Sequence, residues 1–262
     1  MRLLALLLLP LFACTDAPEA VPQAPAEAVA LTPGDSLLHA GIEAHGGLAA
    51  WQRYGTLAYD LVRPDERETH LVDLRDRNVR VEAADFTIGA QGRDVWITPD
   101  TSAYDGNARF YSSLYFYFFA IPYVLADPGA NAERLPARTL DGTTYDVVKV
   151  SYDAGVGDSP DDYYIAHFDQ TTGQLGFILY TVTFGKDGPN ERFGSLKYDA
   201  WQTVGGVEVP AQFTSYRWDA ENETFGARRG TTRFENVRLD PARPDASAFA
   251  PPPGAIVLPP EA

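Results

Sequence analysis

Carboxylates and histidines are the side chains of this sequence that could bind a metal ion or transfer protons. Four aspartates lie close together near two glycines: Asp153, Asp158, Asp161 and Asp162. Calcium takes several oxygens from one flexible loop, but this spacing is not that of an EF-hand, so calcium binding and a solvated hairpin turn are the two alternatives. The four histidines are scattered, and His39 and His45 are six residues apart, so they point to different faces of a helix. We predict no metal site and no cofactor.

Ser36 is the side chain that most resembles a catalytic nucleophile. The tetrapeptide Gly34-Asp35-Ser36-Leu37 resembles the nucleophile block of one lipase and esterase family. In that family the base lies in a downstream Asp-x-x-His, whereas no histidine here has an aspartate three residues before it. A serine hydroxyl without an oriented base is a weak nucleophile. The sequence therefore favours a protein that is not an enzyme. Hydrolysis through Ser36 is the third of the three candidate functions.

Cys14 is the only cysteine, and its position is typical of a lipid attachment site. Residues 1–13 carry one positive charge followed by an apolar stretch too short to span a bilayer, which predicts a signal peptide. Leu11-Phe12-Ala13-Cys14 resembles a bacterial lipobox, in which the cysteine becomes the acylated N-terminus, for example with palmitate. Thr15, not aspartate, follows Cys14. In the sorting rule of enteric bacteria, an aspartate at this position retains a lipoprotein in the inner membrane. By resemblance to that rule we predict an outer-membrane lipoprotein of the cell envelope, facing the periplasm or the cell surface.

Composition and charge exclude several other classes of protein. The chain has 21 Lys+Arg against 36 Asp+Glu, a net charge of −15, which repels phosphate backbones and disfavours nucleic acid as a partner. The 45 % hydrophobic content is that of a globular protein. We predict a lipidated, Ala/Pro-rich tether over 14–31, a single β domain over 32–250 and a Pro-rich tail over 251–262.

The hydrophobic periodicity predicts one helix followed by an antiparallel sheet. Thr32-Pro33-Gly34-Asp35 is a helix start, and Gly46-Gly47 a helix stop. We expect His45, at the helix end, to bond a terminal carbonyl. After Gly55 the period changes to two, and about ten short strands follow, with a hairpin turn at Val204-Gly205-Gly206. The pattern marks these strand segments: Leu57–Leu61, His70–Leu74, Val79–Val81, Asp146–Tyr152, Leu175–Phe184, Leu196–Thr203, Val207–Trp218 and Thr231–Leu239.

The segment Phe110–Leu125 interrupts the strand pattern, and eight of its sixteen residues are aromatic. It is too short for a membrane span, and Pro122 cannot donate to a strand ladder, so we predict a helix or helical loop across the concave face of the sheet. The predicted ligand-binding residues lie in it: Tyr111, Leu114, Tyr115, Phe118, Phe119 and Ile121. The alternative is that these side chains are simply core, in which case the sheet encloses no free space.

Three stretches carry a resemblance to known families. The opening Gly41 to Trp51, with His45-Gly46-Gly47 and then Trp51, resembles the start of a family of bacterial lipoproteins common in the Bacteroidota. The segment 157–173 also suits that family, and Phe249-Ala250-Pro251-Pro252 is similar to the end of outer-membrane lipoprotein-sorting proteins. More distantly, the element order is similar to the Lol lipoprotein carrier and receptor superfamily. The resemblance implies a mainly β (α+β) fold, an open or half β-barrel whose helices cover a cavity for acyl chains.

We therefore expect a non-catalytic envelope protein, attached to the membrane through Cys14, that binds a lipid or a lipoprotein acyl chain. The alternative is a structural or interaction lipoprotein with a filled core. Fold-level similarity does not decide between the two, and the sequence leaves the protein partner unknown.

Overall fold

The computed structural model describes residues 31–153, 161–184 and 192–259. Its helices are α1 (Pro33–Ala44), α2 (Leu48–Trp51) and α3 (Ala108–Ala120), with 3₁₀ turns at Thr101–Ala103, Tyr123–Ala126 and Ala246–Phe249. The strands in these residues are β1 (Thr56–Arg63), β2 (Glu66–Asp73), β3 (Val79–Glu82), β4 (Thr87–Gln91), β5 (Asp94–Thr98), β6 (Ala130–Leu140), β7 (Thr143–Tyr152), β8 (Tyr164–Asp169), β9 (Leu175–Tyr180), β10 (Gly194–Val204), β11 (Val207–Asp219), β12 (Thr224–Asp240) and β13 (Ile256–Leu258).

The thirteen strands form one antiparallel sheet built from two meanders. The first contains β1 to β5 and the second β6 to β12, and they meet side by side where β1 pairs with β12. β13 returns to pair with β5, so β13 and β6 are the two edges. α3 lies in the connection between the meanders. The predicted mainly β fold, with an open antiparallel sheet and few helices, is confirmed.

The sheet curves round α3. Phe110 contacts Phe184, just after β9, at a ring distance of 5.2 Å, and its neighbour Tyr111 contacts Phe86, just after β3, at 6.4 Å. β3 and β9 are six strand spacings apart in the sheet, which is roughly 29 Å if the sheet were flat. A helix is only about 10–12 Å across. One turn of α3 can therefore reach both strands only because the sheet bends about it.

α1 begins and ends as its sequence predicts. Thr32 and Asp35 form a capping box, in which each side chain accepts from the other residue's backbone N–H. His45, fully buried, bonds the Gly41 carbonyl through Nδ1 at 2.7 Å, and its Nε2 accepts from the Leu175 N–H at 3.3 Å. The expectation that His45 bonds a carbonyl of the helix end is confirmed. A Cβ on Gly41 would lie 2.3 Å from the Phe168 ring, so this glycine lets α1 approach the sheet.

Part of the sheet is apolar on both faces. In β7, Val148 and Val150 belong to the main core under the helices, whereas Tyr145 and Val147 face the other side. The outer cluster is Leu140, Tyr145, Val147, Phe177, Leu179 and Trp218. The end of the β11–β12 hairpin contributes Trp218 to this cluster and packs Phe225 against it, and both rings contact Phe177.

The predicted strand pattern differs from the structure in three respects. The apolar run Leu175–Phe184 is a strand only to Tyr180, and the last predicted strand, Thr231–Leu239, is the end of the longer β12. Strands β4, β5, β6, β8 and β13 were absent from the pattern. They are short, or they alternate weakly, and pairing with neighbouring strands stabilises them. The predicted turn at Gly205-Gly206 is confirmed, with positive φ angles of 60° and 85°.

Candidate functional site

α3 brings the predicted ligand-binding residues into the interior of the curved sheet. Tyr111, Phe118, Phe119 and Ile121 are buried, whereas Leu114 and Tyr115 are partly buried. Phe119 stacks on Tyr59 of β1 at 4.9 Å and meets the Phe234 ring of β12 edge-on at 5.0 Å. These side chains therefore pack against the sheet on either side of the β1–β12 seam.

α3 is buried on more sides than one inward stripe would require. Phe116, which was not among the predicted residues, is 1 % exposed, and the guanidinium of Arg77 lies over its ring at 5.0 Å. Phe118 packs on Tyr180 at 4.9 Å and on Phe213 at 6.1 Å. The helix fills the concave side of the sheet with its own side chains.

A network of polar side chains lies between α3 and the first two strands. We call it the inner polar cluster: Tyr59, Arg63, Glu68, His70, Tyr111 and Tyr115. Tyr111 donates to the Glu68 carboxylate, with both oxygens 2.7 Å from its hydroxyl. Arg63 donates to Glu68 at 2.6 Å and to the hydroxyls of Tyr111 and Tyr115, each at 3.0 Å. The cluster thus joins two tyrosines of α3 to an ion pair of the sheet.

His70 extends this network along the sheet from Glu68 to Tyr59. Its Nε2 lies 3.1 Å from the Glu68 carboxylate, and its Nδ1 lies 3.2 Å from the Tyr59 hydroxyl. Because a carboxylate can only accept, the imidazole carries its proton on Nε2 and accepts from Tyr59 on Nδ1. Burial lowers the pKa of His70, so the ring is neutral in the folded protein.

Glu68 is charged although it is buried. Burial acts to raise the pKa of its carboxyl group, but hydrogen bonds from His70 and Tyr111 and the charge of Arg63 outweigh it, and the pKa is lowered. The pKa of Tyr111 is raised, first by burial and then by the charge of Glu68. An ionised carboxylate therefore lies beside two neutral phenols and one arginine.

A second arginine ties down the chain that follows α3. Arg77, in the turn between β2 and β3, donates through Nη2 to both carboxylate oxygens of Asp127 at 2.9 Å. Burial raises the pKa of Asp127 despite this pairing. The helix and the segment after it are thus held by Arg63 near one end and Arg77 near the other.

A surface depression of about 300 Å³ lies beside the start of α3. Ile97, Tyr104, Arg109 and Leu258 are among its lining residues. Tyr104 connects it to the inner polar cluster, because its ring lies 4.8 Å from that of Tyr111. Burial, with the charge of Glu68, raises the pKa of Tyr104 to about 12, so its hydroxyl is neutral. The depression is at the lower end of the volumes typical of ligand pockets.

The other residues singled out in the sequence lie away from this site. Ser36 donates its hydroxyl to the Thr32 carbonyl at 2.9 Å, as part of the helix start. Asp153 accepts from Asn131 at 2.9 Å, and Asp162 accepts from the Thr183 N–H at 2.6 Å. Asp158, between them, lies outside the described residues, as do the predicted signal peptide, Cys14 and most of the predicted tether. The part of the chain that is described holds no group of three or more metal-ligating side chains.

Sequence reasoning missed the sheet side of the cluster, although a signal existed. Tyr59 and Leu61 alternate into the core, and Arg63 is the next position on that face. Glu68 precedes His70 on the same face of β2. Charged residues at strand positions that face the core indicate an internal polar network, because buried polar groups need hydrogen-bond partners.

Residues 100–201 match a family of unknown function, DUF6503. The matched range includes α3 and ends within β10, and it begins after the His45-Gly46-Gly47 motif. The predicted membership of a Bacteroidota-type family with that motif therefore stays a prediction. No curated protein matches the chain.

Two solved structures share the fold. A LolA superfamily protein from Nitrosomonas europaea is 12 % identical, with a TM-score of 0.50, and the match covers 84 % of this chain and 98 % of that one. A DUF1329 family protein from Desulfovibrio piger is also 12 % identical, with a TM-score of 0.50, and the match covers 84 % of this chain and 100 % of that one. The predicted distant similarity to the Lol superfamily is confirmed at the level of the fold. No helix in the described segments is long and apolar enough to cross a membrane.

Proposed function

We propose that this protein is a non-catalytic lipoprotein of the cell envelope that binds the acyl chain of a lipid or lipoprotein between its curved sheet and α3. In this proposal α3 is a lid. It covers the concave face in the ligand-free protein and moves outward when a chain enters. Acylation of Cys14 would hold the domain at the membrane, and the residues 15–31 would act as a tether.

The observation that carries the proposal is the way in which α3 is attached. The helix is an insert between two meanders, and its contacts with the sheet include the inner polar cluster beside the apolar stacking. Hydrogen bonds to tyrosine hydroxyls can be exchanged for bonds to water or to a ligand, so separating these groups costs less than opening a wholly apolar core. A helix fixed in part by exchangeable bonds would leave the sheet at a lower cost than one fixed by apolar packing alone.

The dimensions of the closed state require such a movement. A depression of about 300 Å³ lies near Tyr104, and buried side chains of α3, among them Phe118 and Phe119, occupy the concave face of the sheet. Displacing α3 would uncover Tyr59, Phe213 and Phe234 as an apolar surface for a hydrocarbon chain. The shared fold with a LolA superfamily protein supports this, because the Lol resemblance implies a helix-covered cavity.

A structural or interaction lipoprotein is the second candidate, and the dense packing of α3 is the observation that favours it. In that case the aromatic side chains are permanent core, and the function lies in contacts with other proteins. The two candidates differ in whether α3 opens.

Binding and lid movement can be measured on the full chain with Cys14→Ala, which removes the acylated residue and none of the described ones. We expect N-phenyl-1-naphthylamine to bind saturably, lysophospholipid to displace it, and the α3 amides to exchange hydrogen for deuterium faster when lipid is bound. The absence of dye binding, with α3 exchanging only through global unfolding, would reject the lid and favour the interaction protein.

A pair of tyrosine variants tests the attachment itself. Tyr111→Phe removes the bonds to Glu68 and Arg63, so α3 exchange and dye affinity should both rise. Tyr54→Phe is the matched control, since it removes one tyrosine bond, to the Gly205 carbonyl in the β10–β11 turn. Equal exchange of α3 in the two variants would contradict the role given to the cluster.

A further inference from the structure

The inner polar cluster contains two hydroxyl groups that come from α3 and a charged pair that belongs to the sheet. The Tyr111 hydroxyl accepts from Arg63 and donates to Glu68, and the Tyr115 hydroxyl accepts from the other terminal nitrogen of Arg63. The sheet therefore presents a forked donor beside an acceptor, and the helix presents two adjacent hydroxyls to it. Arginine forks of this kind bind neighbouring oxygens with defined geometry.

Opening of α3 would leave the sheet side of the cluster intact. Arg63, Glu68 and His70 all lie on β1 and β2, and their mutual contacts of 2.6 Å and 3.1 Å do not involve α3. The Nε of Arg63 is buried and has no hydrogen-bond partner among the described residues. Groups of this kind, at the base of an apolar surface, weaken binding unless the ligand offers hydrogen bonds to them.

We propose that Arg63 and Glu68 form a head-group site for a lipid that carries adjacent hydroxyl groups, such as a glycerol or a sugar. This inference rests on the proposed function. One hydroxyl would take the position of the Tyr111 hydroxyl, accepting from Arg63 and donating to Glu68. The neighbouring hydroxyl would accept from the second nitrogen of Arg63, as Tyr115 does. The acyl chain would then lie on the apolar surface that begins at Tyr59.

The charges of the cluster disfavour other head groups. A carboxylate or phosphate would lie beside Glu68 and near Glu66, whose carboxylate pairs with Arg63 at 2.7 Å, so repulsion would offset the attraction of one arginine. A simple ester offers acceptors for Arg63 but no donor for Glu68. A hydroxyl supplies both from one atom, as tyrosine does in the closed state.

Competition among lipids of equal chain length tests the head group. The full chain with Cys14→Ala would be loaded with N-phenyl-1-naphthylamine and titrated with monomyristoylglycerol, myristyl glucoside or methyl myristate. We expect at least one of the two hydroxyl-bearing lipids to displace the dye at a concentration about tenfold lower than methyl myristate, since hydrogen bonds to charged groups are the stronger class. The better of the two identifies glycerol or sugar as the source of the hydroxyls.

Variants separate head-group recognition from the effect of the lid. The readout is the ratio of the concentrations at which methyl myristate and the hydroxyl-bearing lipid displace the dye. Arg63→Gln should reduce this ratio to near one. Because opening of the lid affects both lipids alike, the ratio reports only the head group. Arg67→Gln is the matched control, for Arg67 lies on the same hairpin but pairs with Asp60 and Glu235 on the outer face. Glu68→Gln, nearly equal in shape, should also lower the ratio and guards against misfolding of the arginine variant.

Equal displacement by all three lipids in the parent protein would overturn the head-group site and leave acyl-chain binding in place. Failure of every lipid to displace dye, or of the dye to bind, would overturn the proposed function itself. A ratio unchanged by Arg63→Gln in a folded variant would also overturn the assignment.

Discussion

His167 is a buried histidine held neutral by its surroundings. It is fully buried and stacks on Phe177 with ring centroids 3.7 Å apart. Burial, together with the charge of Arg138, lowers its pKa to about 3. His45 and His70 are also buried, and burial lowers the pKa of each. Three histidines thus resist protonation in the folded chain.

Acid should therefore destabilise the fold, and His167 should account for a large part of the effect. The unfolded chain takes up a proton at this residue near pH 6.5, but the folded chain does so only near pH 3. The stabilisation is complete above pH 6.5 and is lost as the pH falls toward 3, by an amount on the order of 5 kcal/mol. Denaturant melts between pH 7 and pH 4 should show the decline, and His167→Leu should flatten it.

The same substitution at His39, partly exposed on α1, is the control for removing a histidine that lies outside the core. An unaltered slope in His167→Leu would mean that other groups carry the acid dependence.

At the residue scale, the roles of single side chains were predictable where they depend on local sequence. The capping box at Thr32 and the carbonyl bond of His45 follow from neighbours three or four positions away. The inner polar cluster was not predictable in the same way. Its contacts depend on the pairing of β1 with β2 and on the placement of α3, which sequence spacing alone does not specify.

At the scale of the elements, α3 combines strongly buried and half-buried positions. Phe119 is fully buried between Tyr59 and Phe234, whereas Leu114 is only partly buried. Replacing Phe119 or Leu114 by alanine would therefore leave cavities of different size beside the same helix.

Phe119→Ala should lower the free energy of unfolding by about 3–5 kcal/mol, because it leaves a large cavity in the core. Leu114→Ala, at the half-buried position, should cost about 1 kcal/mol. Denaturant melts of both variants measure the difference. Equal and small losses would indicate that α3 is not packed on the sheet in solution.

The existence of α3 was predictable, but the extent of its burial was not. The aromatic run, followed by Pro122, excluded a central strand and indicated a helix. Which of its faces would be covered depends on the curvature of a sheet whose strands come from both ends of the chain. Several edge and short strands were missed because their own alternation is weak and pairing with neighbouring strands stabilises them.

On the scale of the whole molecule, the last described residues form one edge of the sheet and cover β5. β13 pairs with β5, and Arg109 of α3 donates to the carbonyl of Pro259 at 2.9 Å. Just before β13, Phe249 is fully buried, and its carbonyl accepts from the Trp96 indole at 2.8 Å. The segment after Asp245 is thus bound along the first meander.

Truncation after Gly254 should leave β5 as an unprotected edge strand. Its free N–H and C=O groups would favour pairing between molecules, so light scattering should show self-association that the full chain lacks. Removal of residues 260–262 alone, which keeps β13, is the control. A truncated chain that remained monomeric would show that β13 does not protect the edge.

The seam between the two meanders has a consequence for the order in which this fold can arise. Thr56 pairs with Asp240, and Val62 with Arg233, so the central pair of strands joins segments from near opposite ends of the described chain. Each meander can form from local hairpins, but nearly the whole polypeptide must be synthesised before the seam can close. Contacts so distant in sequence slow folding. The chain therefore stays incompletely folded until its C-terminal strands have been synthesised.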